Sequence, residues 1–171
     1  KDIEEEGLIQ PMLENVVRSG VCFSHDPNSG SPYRIINWAE GSDTTRVTSG
    51  KGGNIQVTGK EVTIKSTASL EAKGATGGGE ILVGGSWQNT DPSVQQATYT
   101  TAEAGSVIDA SATENGDGGT VVLWSDITNQ DSITTVNGTL YAKGGSLGGD
   151  GGRIETSGGT LNFDSIEVST I

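Results

Sequence analysis

A single cysteine, a single histidine and a 5% share of aromatic residues are all that this 171-residue chain carries of its most chemically versatile side chains, and each scarcity excludes something. Cys22 cannot form an intrachain disulfide, and no Cys-x-x-Cys metal or redox motif exists. It reads as a structural thiol, with a bond to another chain left open. A hydrolase nucleophile needs a base beside it, and His25 lies in a turn-rich stretch, so a catalytic Cys22–His25 pair is set aside. One Cys and one His also fall short of the ligand set of a zinc site. Basic residues are scarce too: 10 against 22 acidic ones give a formal charge of -12, a surface that repels nucleic acid and anionic membranes. The acidic residues are scattered rather than gathered in a tail, which reads as a solvated surface. No apolar run approaches the roughly 18 residues of a membrane helix, and no basic-then-apolar export signal opens the chain. It begins at Lys1 rather than Met, which suggests a mature, processed or excised segment.

Hydrophobic residues make up only 32% of the chain, too little for one broad core, whereas glycine is present 27 times, about twice its usual share. A fold that repeats a small unit manages with fewer apolar residues, because each unit buries a few aliphatics against its neighbours. The pattern agrees from Gly50 onward, where β-branched runs alternate with glycine pairs in three copies. Leu70-Glu71-Ala72-Lys73-Gly74 precedes Gly78-Gly79-Glu80-Ile81-Leu82-Val83, and Ile108-Asp109-Ala110-Ser111 precedes Gly118-Gly119-Thr120-Val121-Val122-Leu123. Leu140-Tyr141-Ala142-Lys143-Gly144 precedes Gly151-Gly152-Arg153-Ile154-Glu155-Thr156, and Gly52-Gly53-Asn54-Ile55 opens the series. Glycine pairs permit sharp corners and close stacking, and Ile, Val and Leu form inward ladders. Ile81, Val121 and Ile154, each two residues past a glycine pair, are expected to stack in one inward column. The copies start too far apart for a coil of about twenty residues, so each spans two coils or one coil with an excursion.

Residues 1–49 differ from the rest and read as an N-terminal cap or atypical segment. Met12, Leu13, Val16 and Val17 recur at helical spacing, predicting one short amphipathic helix from Pro11 to Ser19 with Gly20 at its C-terminal cap. Val21–Phe23 and Tyr33–Trp38 read as strands. The fold class expected is therefore all-β: a right-handed parallel β-helix over residues 50–171 with a short N-terminal helical cap.

The block from Gly118-Gly119-Thr120-Val121-Val122-Leu123-Trp124-Ser125-Asp126 through Gly138-Thr139-Leu140-Tyr141-Ala142-Lys143-Gly144-Gly145 to Gly151-Gly152-Arg153-Ile154-Glu155-Thr156-Ser157-Gly158 resembles a recurrent block of the filamentous-haemagglutinin-like exoproteins, commonly exported by two-partner secretion. The resemblance runs from about Gly52 to Ser169. It implies a parallel β-helix exposed on or released from a Gram-negative-type cell, with adhesion to cells, glycans or matrix as its role. The family's export domain carries Asn-Pro-Asn-Gly-like motifs, whereas this chain has Asp26-Pro27-Asn28-Ser29, so residues 1–49 are not identified as that domain.

The segment Ser86–Ala97 interrupts the repeat and is the clearest loop excursion, and loops extruded from a rigid stack often carry binding residues. Trp87, Gln88 and Asn89 are the candidate contacts with a glycan or protein surface; Trp124, ending an aliphatic strand, reads as packing. Asp117, Asp126, Asp131 and Asp150 lie near glycine-rich turns, but the repeat-in-toxin calcium pattern fails where Arg153 stands in place of its aspartate, so no metal and no cofactor is expected. Gly59-Lys60-Glu61 fails as a phosphate loop, and Asn137-Gly138-Thr139 is a lone sequon. Catalysis is not expected. The alternatives are a structural subunit assembling end to end into an extracellular filament, suggested by the alternation of Leu161, Phe163, Ile166 and Val168, and a carbohydrate-active enzyme on the same scaffold. Self-association, or continuation in a longer chain, is the partner expected beyond a surface ligand.

Overall fold

The computed structural model describes residues 18–23, 35–40 and 51–171. Two strands, β1 (Arg18–Phe23) and β2 (Ile35–Glu40), pair antiparallel and meet the rest of the chain through Trp38 opposite Asn54. Twelve further strands form four coils of three. Coil 1 holds β3 (Asn54–Val57), β4 (Glu61–Ile64) and β5 (Ser69–Glu71), and coil 2 holds β6 (Glu80–Val83), β7 (Tyr99–Ala102) and β8 (Val107–Asp109). Coil 3 holds β9 (Thr120–Trp124), β10 (Ile133–Val136) and β11 (Thr139–Tyr141), and coil 4 holds β12 (Arg153–Ser157), β13 (Thr160–Phe163) and β14 (Glu167–Ser169). Like strands of successive coils pair in parallel, giving three sheets in the orders β1-β2-β3-β6-β9-β12, β4-β7-β10-β13 and β5-β8-β11-β14. This is a parallel β-helix.

Each copy seen in the sequence is one coil with excursions, not two coils. The glycine pairs stand where the third strand of one coil hands over to the first strand of the next. There Gly79, Gly119 and Gly152 donate their N–H groups to the carbonyls of Ala72, Ala110 and Ala142. A Cβ on Gly119 would overlap the carbonyl oxygen of Gly79 in the coil behind it, so the corner closes only with no side chain in the way.

Register stacks the inward side chains into columns. Ile55, Ile81, Val121 and Ile154 form one, as expected, with Ile81 and Val121 wholly buried. Val57, Val83 and Leu123 form a second, and Leu70, Ile108, Leu140 and Val168 a third. Each fully buried Val, Leu or Ile contributes roughly 1.5–3 kcal/mol relative to exposure, which is how a chain this poor in apolar residues keeps a core. The middle sheet mixes its columns: Val62 is followed by Thr100, Thr134 and then Leu161. The two buried threonines are satisfied, since Thr100 donates to the Trp124 carbonyl at 2.6 Å and Thr134 to the Ser157 carbonyl at 2.8 Å.

The helix expected over Pro11–Ser19 is corrected where it can be seen. Arg18 and Ser19 belong to β1, opposite Glu40 and Ala39, and Gly20 sits within that strand opposite Trp38 rather than ending a helix. Pairing with β2 satisfies the backbone N–H and C=O of alternate residues of β1, whereas an isolated amphipathic helix of two to three turns is marginal. Positions 11–17 lie outside the described residues. The strands expected at Val21–Phe23 and Tyr33–Trp38 appear as β1 and β2, the second beginning at Ile35 and running on to Glu40.

Candidate functional site

Strand alternation should leave the odd partners of Ile81 and Val121 facing water, yet Leu82 and Val122 occupy those outward positions and are buried. What covers them is the excursion after β6. Gly84, at φ 77°, and Gly85, where a Cβ would overlap the Trp124 ring, let the chain leave the sheet and fold back over its outer face. Val94 and Trp87 from the excursion pack with Leu82, Val122 and Trp124 as a second apolar cluster outside the helix. The indole Nε1 of Trp124 donates to Gln96 Oε1 at 2.9 Å, and Asp91 N–H donates to Ser86 Oγ at 3.1 Å.

The excursion leaves coil 2 and reaches coil 4. Arg153, outward on β12, lies over the Trp87 ring with its guanidinium carbon 4.4 Å from the centroid. Glu155, two residues on, accepts the Gln88 N–H at 2.8 Å and the Ser157 hydroxyl at 3.1 Å. Between these anchors the backbone makes a single 3-10 turn, Trp87–Asn89, in which Gln88 (φ 48°) and Asn89 (φ 52°) adopt left-handed conformations. They are the only non-glycine residues among those described with positive φ, and both are exposed. Burial of the neighbouring Glu80 pushes its carboxyl above the usual glutamate range, with Arg153 opposing and Asp91 reinforcing the rise.

Trp87, Gln88 and Asn89 thus come together at one tip but divide the work. Trp87 is half-buried, with the Arg153 cation on its ring and the apolar cluster beside it, and acts as the tip's anchor. The side chains of Gln88 and Asn89 are exposed beside it. Arg153, Glu155 and Gln96 are site residues that sequence reading did not find. The detectable signal was the unbroken aliphatic runs Ile81-Leu82-Val83 and Val121-Val122-Leu123, which imply a cover on the outer face of the sheet.

Of the aspartates weighed as calcium ligands, Asp126 accepts the N–H and the hydroxyl of Thr128 at Oδ1 within a turn, and Asp117 Oδ1 accepts the Asp150 N–H one coil further on. Among the described residues no group of three or more His, Cys, Asp or Glu gathers as a metal set, and no helix is long and apolar enough to cross a membrane. Asn137 Oδ1 accepts the Asp164 N–H at 3.0 Å, tying coil 3 to coil 4. Cys22 stands in β1 opposite Ile36, and His25 lies outside the described residues. No protein-family model matches the chain, and no curated protein matches it either.

Proposed function

We propose that the chain is a non-catalytic, β-helical scaffold of an adhesin-like bacterial exoprotein, displayed extracellularly or at the cell surface, which holds the Gln88–Asn89 tip out to a glycan or protein surface. The observation that carries this reading is the tip itself: two consecutive non-glycine residues in left-handed backbone, on an excursion anchored at both Trp87 and Glu155. Such conformations cost free energy and persist where surrounding contacts impose them, which is commonly where side chains are held ready for a partner. Amide side chains offer a donor pair and an acceptor each, matched to sugar hydroxyls and peptide groups. The sequence resemblance to filamentous-haemagglutinin-like exoproteins supports the same reading.

The test is retention of the fluorescently labelled chain on a printed array of animal, plant and bacterial glycans and on cultured epithelial cells. Retention on at least one of these, weakened tenfold or more by Gln88→Ala with Asn89→Ala, is the expected result. No retention on any surface, retention indifferent to the double variant, or release of sugar fragments from a bound glycan overturns it.

A further inference from the structure

The charges around the Gln88–Asn89 tip are unequal in sign. Glu155 lies on one side of it, accepting the Gln88 N–H at 2.8 Å and the Ser157 hydroxyl at 3.1 Å, and both donors are neutral. Asp91 lies two residues past Asn89 and accepts the N–H and the hydroxyl of Ser93 at Oδ1, again from neutral donors. Glu80 sits close enough for Asp91 to push its carboxyl up. Against these three carboxyls stands Arg153, the cation that contacts the tip. Its guanidinium is placed over the Trp87 ring, and its Nε donates to Thr120 Oγ1 at 3.0 Å. Neutral donors fix a carboxylate without cancelling its charge, so the tip sits in a negative field that the chain's formal charge of -12 extends.

On the reading that the tip is the binding site, we infer that it takes an uncharged glycan, one ending in hexoses or N-acetylhexosamines, and turns away glycans capped by carboxylate or sulfate groups. The amide side chains of Gln88 and Asn89 carry no charge, and each offers two N–H donors and a carbonyl acceptor, the complement of sugar hydroxyls and acetamido groups. An acidic sugar could make the same hydrogen bonds but would bring its charge beside Glu155 and Asp91. Discrimination then comes from repulsion rather than from an added contact. Size disfavours a protein partner. A specific protein interface buries about 1,200–2,000 Å² in all and is anchored by aromatic and arginine side chains, whereas Trp87 and Arg153 are engaged with each other.

Retention of the labelled 171-residue chain on matched pairs of printed glycans tests this. Each pair shares one core, ending either in galactose or N-acetylgalactosamine or in the same sugar capped with sialic acid or sulfate. At low salt the uncapped member should retain the chain about tenfold more strongly, and about 0.5 M sodium chloride should shrink the gap, because screening weakens repulsion. Asp91→Asn, which keeps an oxygen for the Ser93 donors, should narrow the gap at low salt by raising retention on the capped members. Equal or stronger retention on capped members, lost on Gln88→Ala with Asn89→Ala, overturns this ligand class and leaves the tip as a binding site. A gap that neither salt nor Asp91→Asn changes overturns it too, because fit rather than charge would then select the ligand. Retention only on protein stripped of its glycans overturns it in favour of a protein partner, and retention on no glycan and no protein overturns the site itself.

Discussion

Individual residues differ in what they tolerate because some are held against backbone and others against solvent. Gly119→Ala would drive a methyl group into the Gly79 carbonyl oxygen, and backbone in a stacked coil has nowhere to move. Loss of about 3 kcal/mol or more is expected from urea unfolding. Gly59→Ala is the control: its Cβ would lie 3.3 Å from the Glu61 carbonyl oxygen, in a position with ordinary φ, and its midpoint should shift little in either direction. Charge gives a second contrast. Glu80, raised by burial, destabilises the fold once ionised; the penalty is absent below the ordinary glutamate range and complete above its folded value. Glu80→Gln should therefore raise stability at neutral pH, and its advantage over the wild type should vanish in acid. An advantage that is constant with pH would mean that desolvation of the carboxylate is not the cause. Glu103, held down by the Lys65 ammonium and the Ser66 N–H, and Asp126, held down by the Thr128 hydroxyl and N–H, act in the opposite sense. Their contribution is present above the ordinary carboxylate range and is lost as pH falls through their depressed values. Both are partly exposed at the surface, so solvent screening keeps that contribution small.

At the scale of elements, the excursion is the piece whose strain and use are separable. Replacing Gln88 and Asn89 together by glycine removes two side chains from left-handed backbone while leaving the Gln88 N–H on Glu155. The double variant should gain about 1 kcal/mol in stability while losing retention on the proposed ligand surface. A variant both less stable and still retained would show the tip to be a packing element only. Strands of the first and third sheets were legible in the sequence because Gly-Gly-x-aliphatic marks β6, β9 and β12, and the Leu70, Ile108 and Leu140 runs mark β5, β8 and β11. The middle sheet was harder to read in β4, β7 and β10. Its inward Thr100 and Thr134 hydroxyls bond to carbonyls of the first sheet, so a buried position carries a polar residue and the alternation is masked. The tip residues were legible as an interruption of the repeat. Their partners Arg153 and Glu155 were not, because they are separated from the tip by more than a full coil and nothing local announces the contact. The short helix at Pro11–Ser19 was misread at its C-terminal end because apolar residues in a brief run satisfy helical and strand periods alike until a partner strand decides between them.

For the whole molecule, a stack in which each coil touches chiefly its neighbours has a stability close to a sum of coil terms and interfaces between coils. Coil 3 has both neighbours and contributes the wholly buried Val121, Leu123, Val136 and Leu140, whereas the equivalent apolar positions in coil 4 at Phe163 and Val168 stay half exposed. Coil 4 is tied back by Arg153 over Trp87 and Glu155 on the Gln88 N–H, and further by Arg153 Nε on Thr120, the Tyr141 hydroxyl on Glu167, the Thr134 hydroxyl on the Ser157 carbonyl, Gly159 N–H on Ser132 and Asp164 N–H on Asn137. Only the first two come from the excursion, and both act on β12. Strands β13 and β14 are otherwise held by their parallel ladders to β10 and β11 and by little side-chain burial. Leu123→Ala should cost about 2–5 kcal/mol and shift the main unfolding transition, because it opens a cavity between two coils. Phe163→Ala should cost much less and act locally. Native-state hydrogen exchange of the 171-residue chain should find the amides of β13 and β14 opening at lower free energy than those of β9 to β11, with β12 between them. Phe163→Ala should speed exchange in β13 and β14 alone. Equal opening free energies in coils 3 and 4 would sink this picture, because they would mean that the four coils unfold as one unit and that coupling along the stack outweighs the loss of burial at its open face.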